Sequence, residues 1–123
     1  MKGTIFVVEK DPSLLELLTL LLEEKGLRVL TASPFEDTLS AILKARPDVI
    51  ILDVIRVTEE GTALCVQLNQ QEATKDIPVI VLSTHPKAAQ VKDVCADEVI
   101  LKPFDIDELF EAVNQQLNLA ASD

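Results

Sequence analysis

Five short, largely β-branched runs recur along this chain, each followed by a longer amphipathic segment, and that alternation constrains the fold more than any other feature. The runs are Ile5-Phe6-Val7-Val8, Leu27-Arg28-Val29-Leu30, Val49-Ile50-Ile51-Leu52, Val79-Ile80-Val81-Leu82 and Val99-Ile100-Leu101. Three of them are almost wholly apolar, as strands are when both faces of a parallel sheet are covered. Strands that alternate with helices are joined by right-handed crossovers, so the expected architecture is one α/β domain over residues 1–123 with helices on both faces of a mostly parallel sheet.

The segments between the runs carry helix punctuation. Asp11 and Pro12 read as an N-cap and a first-turn proline, and Gly26 as the C-terminal cap of a helix over Leu14–Lys25. Ser33-Pro34-Phe35-Glu36 has the form of a capping box for a second helix that Pro47 closes. Gly61 precedes a third, from Ala63 to about Gln71. Pro86 opens a fourth, with Ala88, Val91, Val94 and Cys95 at helical spacing, and Asp105 with Glu108 caps a fifth.

Charge and composition exclude several functions. A net charge of −10, from 21 acidic and 11 basic residues, disfavours nucleic-acid binding through this domain, which relies on Lys and Arg against phosphates. The longest apolar stretches fall far short of the ~20 residues of a membrane-spanning helix. Met1-Lys2-Gly3-Thr4-Ile5 has no signal-peptide pattern, so a soluble, cytoplasmic protein is expected. Cys65 and Cys95 form no CxxC pair and are expected to be small, buried or half-buried thiols in a reducing compartment.

In an open parallel sheet, ligands bind beyond the carboxyl ends of the strands. Glu9, Lys10 and Asp11 follow the first run, Asp53 ends the third, Ser83-Thr84 the fourth, and Lys102-Pro103 follows the fifth. With glycine only at 3, 26 and 61, neither a dinucleotide-binding GxGxxG nor a phosphate-binding GxxxxGK[ST] loop exists. His85, the single histidine, lacks a GxSxG nucleophile elbow and reads as a surface or capping residue. The remaining constellation suits a carboxylate nucleophile that accepts a phosphoryl group. Asp53 would attack, a divalent cation on neighbouring carboxylates and the Lys102 ammonium would stabilise charge, and Ser83 would donate a hydrogen bond to a phosphoryl oxygen.

The segments "VVEKDP", "PDVIILDVIRVTEEG", "IPVIVLST" and "LKPF", in this order and near-normal spacing, resemble the signature segments of response regulator receiver domains of two-component signalling. The resemblance implies a flavodoxin-like, doubly wound (βα)5 fold with strand order 2-1-3-4-5. It implies Asp53 as phospho-acceptor, Gly61 at the usual distance after it, Ser83 and Lys102 as phosphoryl-stabilising residues, and a cis bond before Pro103. Glu9 matches the first member of the family's acidic pair, with a plainer reading as a cap or a partner of Lys102. Lys10 falls where the second member, normally an aspartate and a magnesium ligand, is expected. Glu9, Asp53 and the backbone carbonyl of Ile55 would then be a thin ligand set, and Mg2+ binding is expected to be weak.

Two placements of Lys10 stay open: its ammonium pairs directly with Asp53, or it snorkels to solvent while Asp11 becomes a substitute ligand. Val57 replaces a common proline. Val99 stands at the switch position usually held by an aromatic residue, and the stretch from Ser83 to Lys102 is shorter than usual, so a truncated fourth helix is expected. The implied function is a phosphorelay module without turnover activity, at most self-dephosphorylating, that receives its phosphoryl group from a sensor histidine kinase or a His-phosphotransfer protein. The alternatives are a phosphorylation-independent pseudo-receiver and a small hydrolytic enzyme. With Ser122-Asp123 as the last residues of the sequence, output through a downstream protein partner is expected, with the Glu59-Glu60 loop as a contact surface; a homodimer and a longer parent regulator are both compatible.

Overall fold

The computed structural model describes residues 2–33, 37–55, 57–58 and 61–121, the last three by backbone alone. Strands β1 (Thr4–Val8), β2 (Arg28–Ala32), β3 (Val49–Asp53), β4 (Val79–Ser83) and β5 (Glu98–Leu101) pair in parallel in the order β2-β1-β3-β4-β5. The expected strand order is the observed one. The register sets Val8 opposite both Ala32 and Leu52, and Ser83 opposite Leu101, so all five carboxyl ends share one edge.

Successive strand residues point to opposite faces, which sorts the apolar runs into two cores. Ile5, Val7, Ile51, Ile80 and Leu82 face α1 (Pro12–Glu24) and α4 (Ile106–Ala121), which contribute Leu18, Leu22, Leu109 and Val113. Phe6, Val8, Ile50, Leu52 and Val81 face α2 (Thr38–Ala45), α3 (Ala63–Gln70) and a 3₁₀ helix (Ala88–Asp93), through Ile42, Cys65, Leu68 and Val91. Each fully buried aliphatic side chain contributes about 1.5–3 kcal/mol, so the cores hold the carboxyl edge in a fixed geometry.

Most of the punctuation is used as read. Asp11 Oδ1 accepts from Ser13 N–H at 3.0 Å and Leu14 N–H at 3.4 Å, with Pro12 in the first turn. Gly26, at φ +89°, ends α1 in a left-handed conformation that glycine adopts without a Cβ clash, and its N–H donates to Glu23 O.

Three expectations need correction. Helix α2 starts at Thr38, not within the Ser33-Pro34-Phe35-Glu36 box, whose last three residues lie outside the described ones; Asp37 caps it, accepting from Ser40 N–H and Ser40 Oγ. The fourth intervening segment is indeed short, but it is 3₁₀ and not α-helical. The 3₁₀ rise of about 2.0 Å per residue, against 1.5 Å in an α-helix, lets fewer residues span the return from β4 to β5. Cys65 and Cys95 are buried as expected but are joined in a disulfide. The fold sets α3 beside the segment after the 3₁₀ helix, with Cα atoms 5.8 Å apart, a disulfide distance that a sequence separation of 30 does not reveal.

Candidate functional site

The carboxyl edge of the sheet gathers Glu9 just beyond β1, Asp53 at the end of β3, Ser83 at the end of β4 and Lys102 just beyond β5. Glu9 is 1% exposed and Ser83 is fully buried. The Lys102–Pro103 peptide is cis, as the resemblance implied.

Lys102 organises the site. Its Nζ donates to Glu9 Oε1 at 2.6 Å and to Asp53 Oδ1 at 3.1 Å. Glu9 Oε2 in turn accepts from the backbone N–H groups of Lys10, at 2.8 Å, and Asp11, at 3.3 Å. Both Glu9 oxygens are therefore engaged. Asp53 Oδ2, by contrast, is a buried acceptor without a hydrogen-bond partner among the described residues. Removing such an atom from water without compensation costs about 1–3 kcal/mol, so it is poised for a cation, a proton or an electrophile.

These contacts pull the ionisation equilibria apart. Burial, and then the neighbouring Glu9 carboxyl, push the Asp53 pKa up to about 6, against the opposing ammonium. Burial also works against the charged form of Glu9, but the neighbouring Asp53 carboxyl, the Lys102 ammonium and the Asp11 N–H outweigh it and hold Glu9 below its ordinary value. Lys102 follows the same logic with opposite sign: desolvation disfavours its charge, yet its two carboxylate partners raise its pKa above the usual lysine value. Glu9 is thus the anion Lys102 holds most firmly, and Asp53 the carboxyl nearer to neutrality.

The other residues named from sequence fall into place around this trio. Lys10 is exposed, and the cation paired with Asp53 is Lys102; the expected Lys10–Asp53 ion pair is absent among the described residues. The reason is the Glu9 carboxylate, which ties down the Lys10 backbone N–H while Lys102 reaches inward from β5 to both carboxylates. Asp11 is exposed and caps α1. Ser83 Oγ accepts from His85 N–H at 3.1 Å, and His85 Nδ1 accepts from Lys87 N–H at 3.0 Å, so His85 serves the turn after β4. Val99 is half-buried in β5 opposite Val81. Ile55 has an exposed side chain, and Gly61 N–H donates to Thr58 Oγ1. The Glu59-Glu60 loop lies outside the described residues. No group of three or more His, Cys, Asp or Glu able to hold a metal ion occurs among the described residues, and none of their helices is long and apolar enough to cross a membrane.

Sequence reasoning named the trio but missed how completely one lysine serves both carboxylates. The signal was present in part: in strand order 2-1-3-4-5, the residues following β1, β3 and β5 share one edge, and Lys102 has a side chain long enough to reach inward.

A family profile described as the response regulator receiver domain matches residues 5–114. The DNA-binding response regulator MtrA of Mycolicibacterium smegmatis is 30% identical over 120 residues, covering 95% of this chain and 51% of MtrA. The chain spans about half the length of the curated relatives it matches. Among solved structures, the signal receiver domain of a signal transduction histidine kinase from Syntrophus aciditrophicus is 32% identical with a TM-score of 0.82, covering 94% of this chain and 90% of that one. The response regulator TrrA of Thermotoga maritima, solved in complex with Mg(2+)-BeF, is 30% identical with a TM-score of 0.81, covering 95% of this chain and 100% of TrrA.

Proposed function

This chain belongs to the response regulator receiver family of two-component signalling, and on that premise we propose that it is a phosphorelay module in which Asp53 accepts a phosphoryl group from a sensor histidine kinase or a His-phosphotransfer protein. The observation that carries this reading is the Asp53 carboxylate itself. One oxygen is held by Lys102 and the other is buried with no hydrogen-bond partner among the described residues, at the strand edge where ligands of such sheets bind. Lys102 fixes the orientation of the nucleophile and neutralises charge that an incoming phosphoryl group brings. Ser83 accepts its bond from His85 N–H and donates none among the described residues, so its hydroxyl proton is available to a phosphoryl oxygen.

The unpartnered Asp53 oxygen also fits a divalent cation, which Asp53, Glu9 and the Ile55 carbonyl would hold. Such an ion would screen the anionic donor from the site's carboxylates. Binding is weak on this reading, because Glu9 is committed to Lys102 and two N–H groups, and because lysine stands at position 10. Output on this reading passes to a downstream protein partner in the cytoplasm, and this domain, with a net charge of −10, is itself no nucleic-acid contact surface. Val99 has no ring to swing and a stiff, β-branched rotamer, so NMR shifts near it are expected to move little on phosphorylation.

A second reading, the phosphorylation-independent pseudo-receiver, draws on the same Lys10 and on the Lys102 ammonium, which already balances part of the site's charge. Intact mass after incubation with a small phosphodonor and Mg2+ separates the two. A gain of one phosphoryl group that Asp53→Asn abolishes supports the acceptor; an unchanged mass under saturating donor supports the pseudo-receiver.

A further inference from the structure

The disulfide joins two elements that little else connects. Cys65 sits in the first turn of α3, fully buried, and Cys95 lies two residues after the 3₁₀ helix with 8% of its surface exposed. Among the described residues, no hydrogen bond or ion pair runs between α3 and the 3₁₀ helix. Apolar contact and this one covalent bond hold them together.

A groove of about 660 Å³ opens between the same two elements, lined by Val57, Thr62, Val66, Val91 and Val94 among others. Val66 and Val94 are the chain neighbours of the two cysteines, and Val94 is 55% exposed. The groove falls within the ~300–1,000 Å³ range of small-ligand sites, large enough for a low-molecular-weight thiol. Short 3₁₀ segments have poorer hydrogen-bond geometry than α-helices, and this one has no side-chain N-cap, which favours its local opening.

We propose that Cys65 and Cys95 form a thiol–disulfide exchange site, served by a small thiol/disulfide couple such as glutathione, whose state sets the packing of the 3₁₀ helix against α3. In oxidation, the Cys95 thiolate attacks oxidised glutathione, forms a mixed disulfide and releases one glutathione thiolate. The Cys65 thiolate then attacks the Cys95 sulfur, closes the protein disulfide and releases the second. The two protons lost by the cysteines end on the two glutathione thiolates, and the two electrons reduce the glutathione disulfide. Reduction runs the same steps backwards. Disulfides of reducing compartments are usually transient or redox-sensing, an argument that rests on the cytoplasmic placement proposed above.

The test is a series of reduced-to-oxidised glutathione ratios on the full chain. Free thiols are counted by alkylation and intact mass, and amide shifts are followed by NMR. The expected result is a single reversible transition between no and two free thiols, with shifts moving at Val66, Val91 and Val94 but not in α1, and a Tm lower by roughly 10 °C in the reduced form. Cys65→Ser should capture glutathione on Cys95 at least about tenfold faster than Cys95→Ser captures it on the buried Cys65. A bond that survives the reducing end of the series in the native protein, two thiols persisting at the oxidising end, shifts confined to residues 65 and 95, or equal capture by the two variants would each overturn the proposal. The measurement reads the cysteines directly, so its failure and a failure of Asp53 to take up phosphate are told apart.

Discussion

Lys102 and Glu9, 93 residues apart in the chain, meet at 2.6 Å between Nζ and Oε1, and the same ammonium reaches Asp53 at 3.1 Å. One cation thus serves two carboxylates that are only 1% and 5% exposed, while its own side chain is 16% exposed. Removing it would leave two buried anions facing each other, and the energetics of the site turn on that fact.

Lys102→Met should destabilise the fold by about 2–4 kcal/mol near neutral pH, because the surviving carboxylates lose their counter-ion and cannot regain water. The loss should shrink towards about pH 5, where one of the pair takes up a proton. Urea denaturation at the two pH values checks both statements. An equal loss at both would mean that packing of the lysine stem, and not charge, dominates.

Asp53→Asn should have the opposite effect. The Asp53 pKa is raised from 3.8 to about 6, so the folded state holds the proton more tightly than the unfolded chain does. The stability contributed in this way is present below 3.8 and is lost as pH rises through about 6, leaving charged Asp53 a net cost at neutrality. The neutral amide should therefore raise stability by on the order of 1–3 kcal/mol at about pH 7.5, and by much less at about pH 4. A loss of stability at the higher pH would contradict this.

Lys10→Asp should tighten Mg2+ binding about tenfold, since it changes the local charge by two units and supplies a carboxylate oxygen beside Glu9. The gain should fall as salt is added, because position 10 is exposed. Isothermal titration of both proteins is the measurement, and equal affinities would show that the Lys10 charge is too well solvated to matter.

Asp11→Ala should cost about 1 kcal/mol through the lost N-cap of α1 and leave Mg2+ affinity unchanged. Thermal unfolding reads the first effect and the same titration the second. A weaker affinity in this variant would make Asp11 a ligand as well as a cap.

What could be read from the chain and what could not divides along a physical line. The β-branched runs and the caps at Asp11 and Gly26 are local: each depends on residues within a turn or a strand of one another. The period-two and helical patterns therefore carried the βα alternation, and with the family resemblance they carried the strand order and the named residues of the carboxyl edge. Partnerships across the sheet are different. Lys10 lies next to Glu9 in the chain and looked like the obvious cation for Asp53, yet its backbone N–H is what Glu9 uses, and its side chain stays in solvent. Lys102 takes the role because the β5 crossover brings it over the edge from the far side. Cys65 and Cys95 carry no motif, and only the packing of α3 against a short 3₁₀ helix sets their Cα atoms 5.8 Å apart. Local sequence decides which elements form, because backbone propensity and burial periodicity act over a few residues; which side chains meet is decided by the closed tertiary structure, because it alone sets distances between residues that the chain keeps far apart.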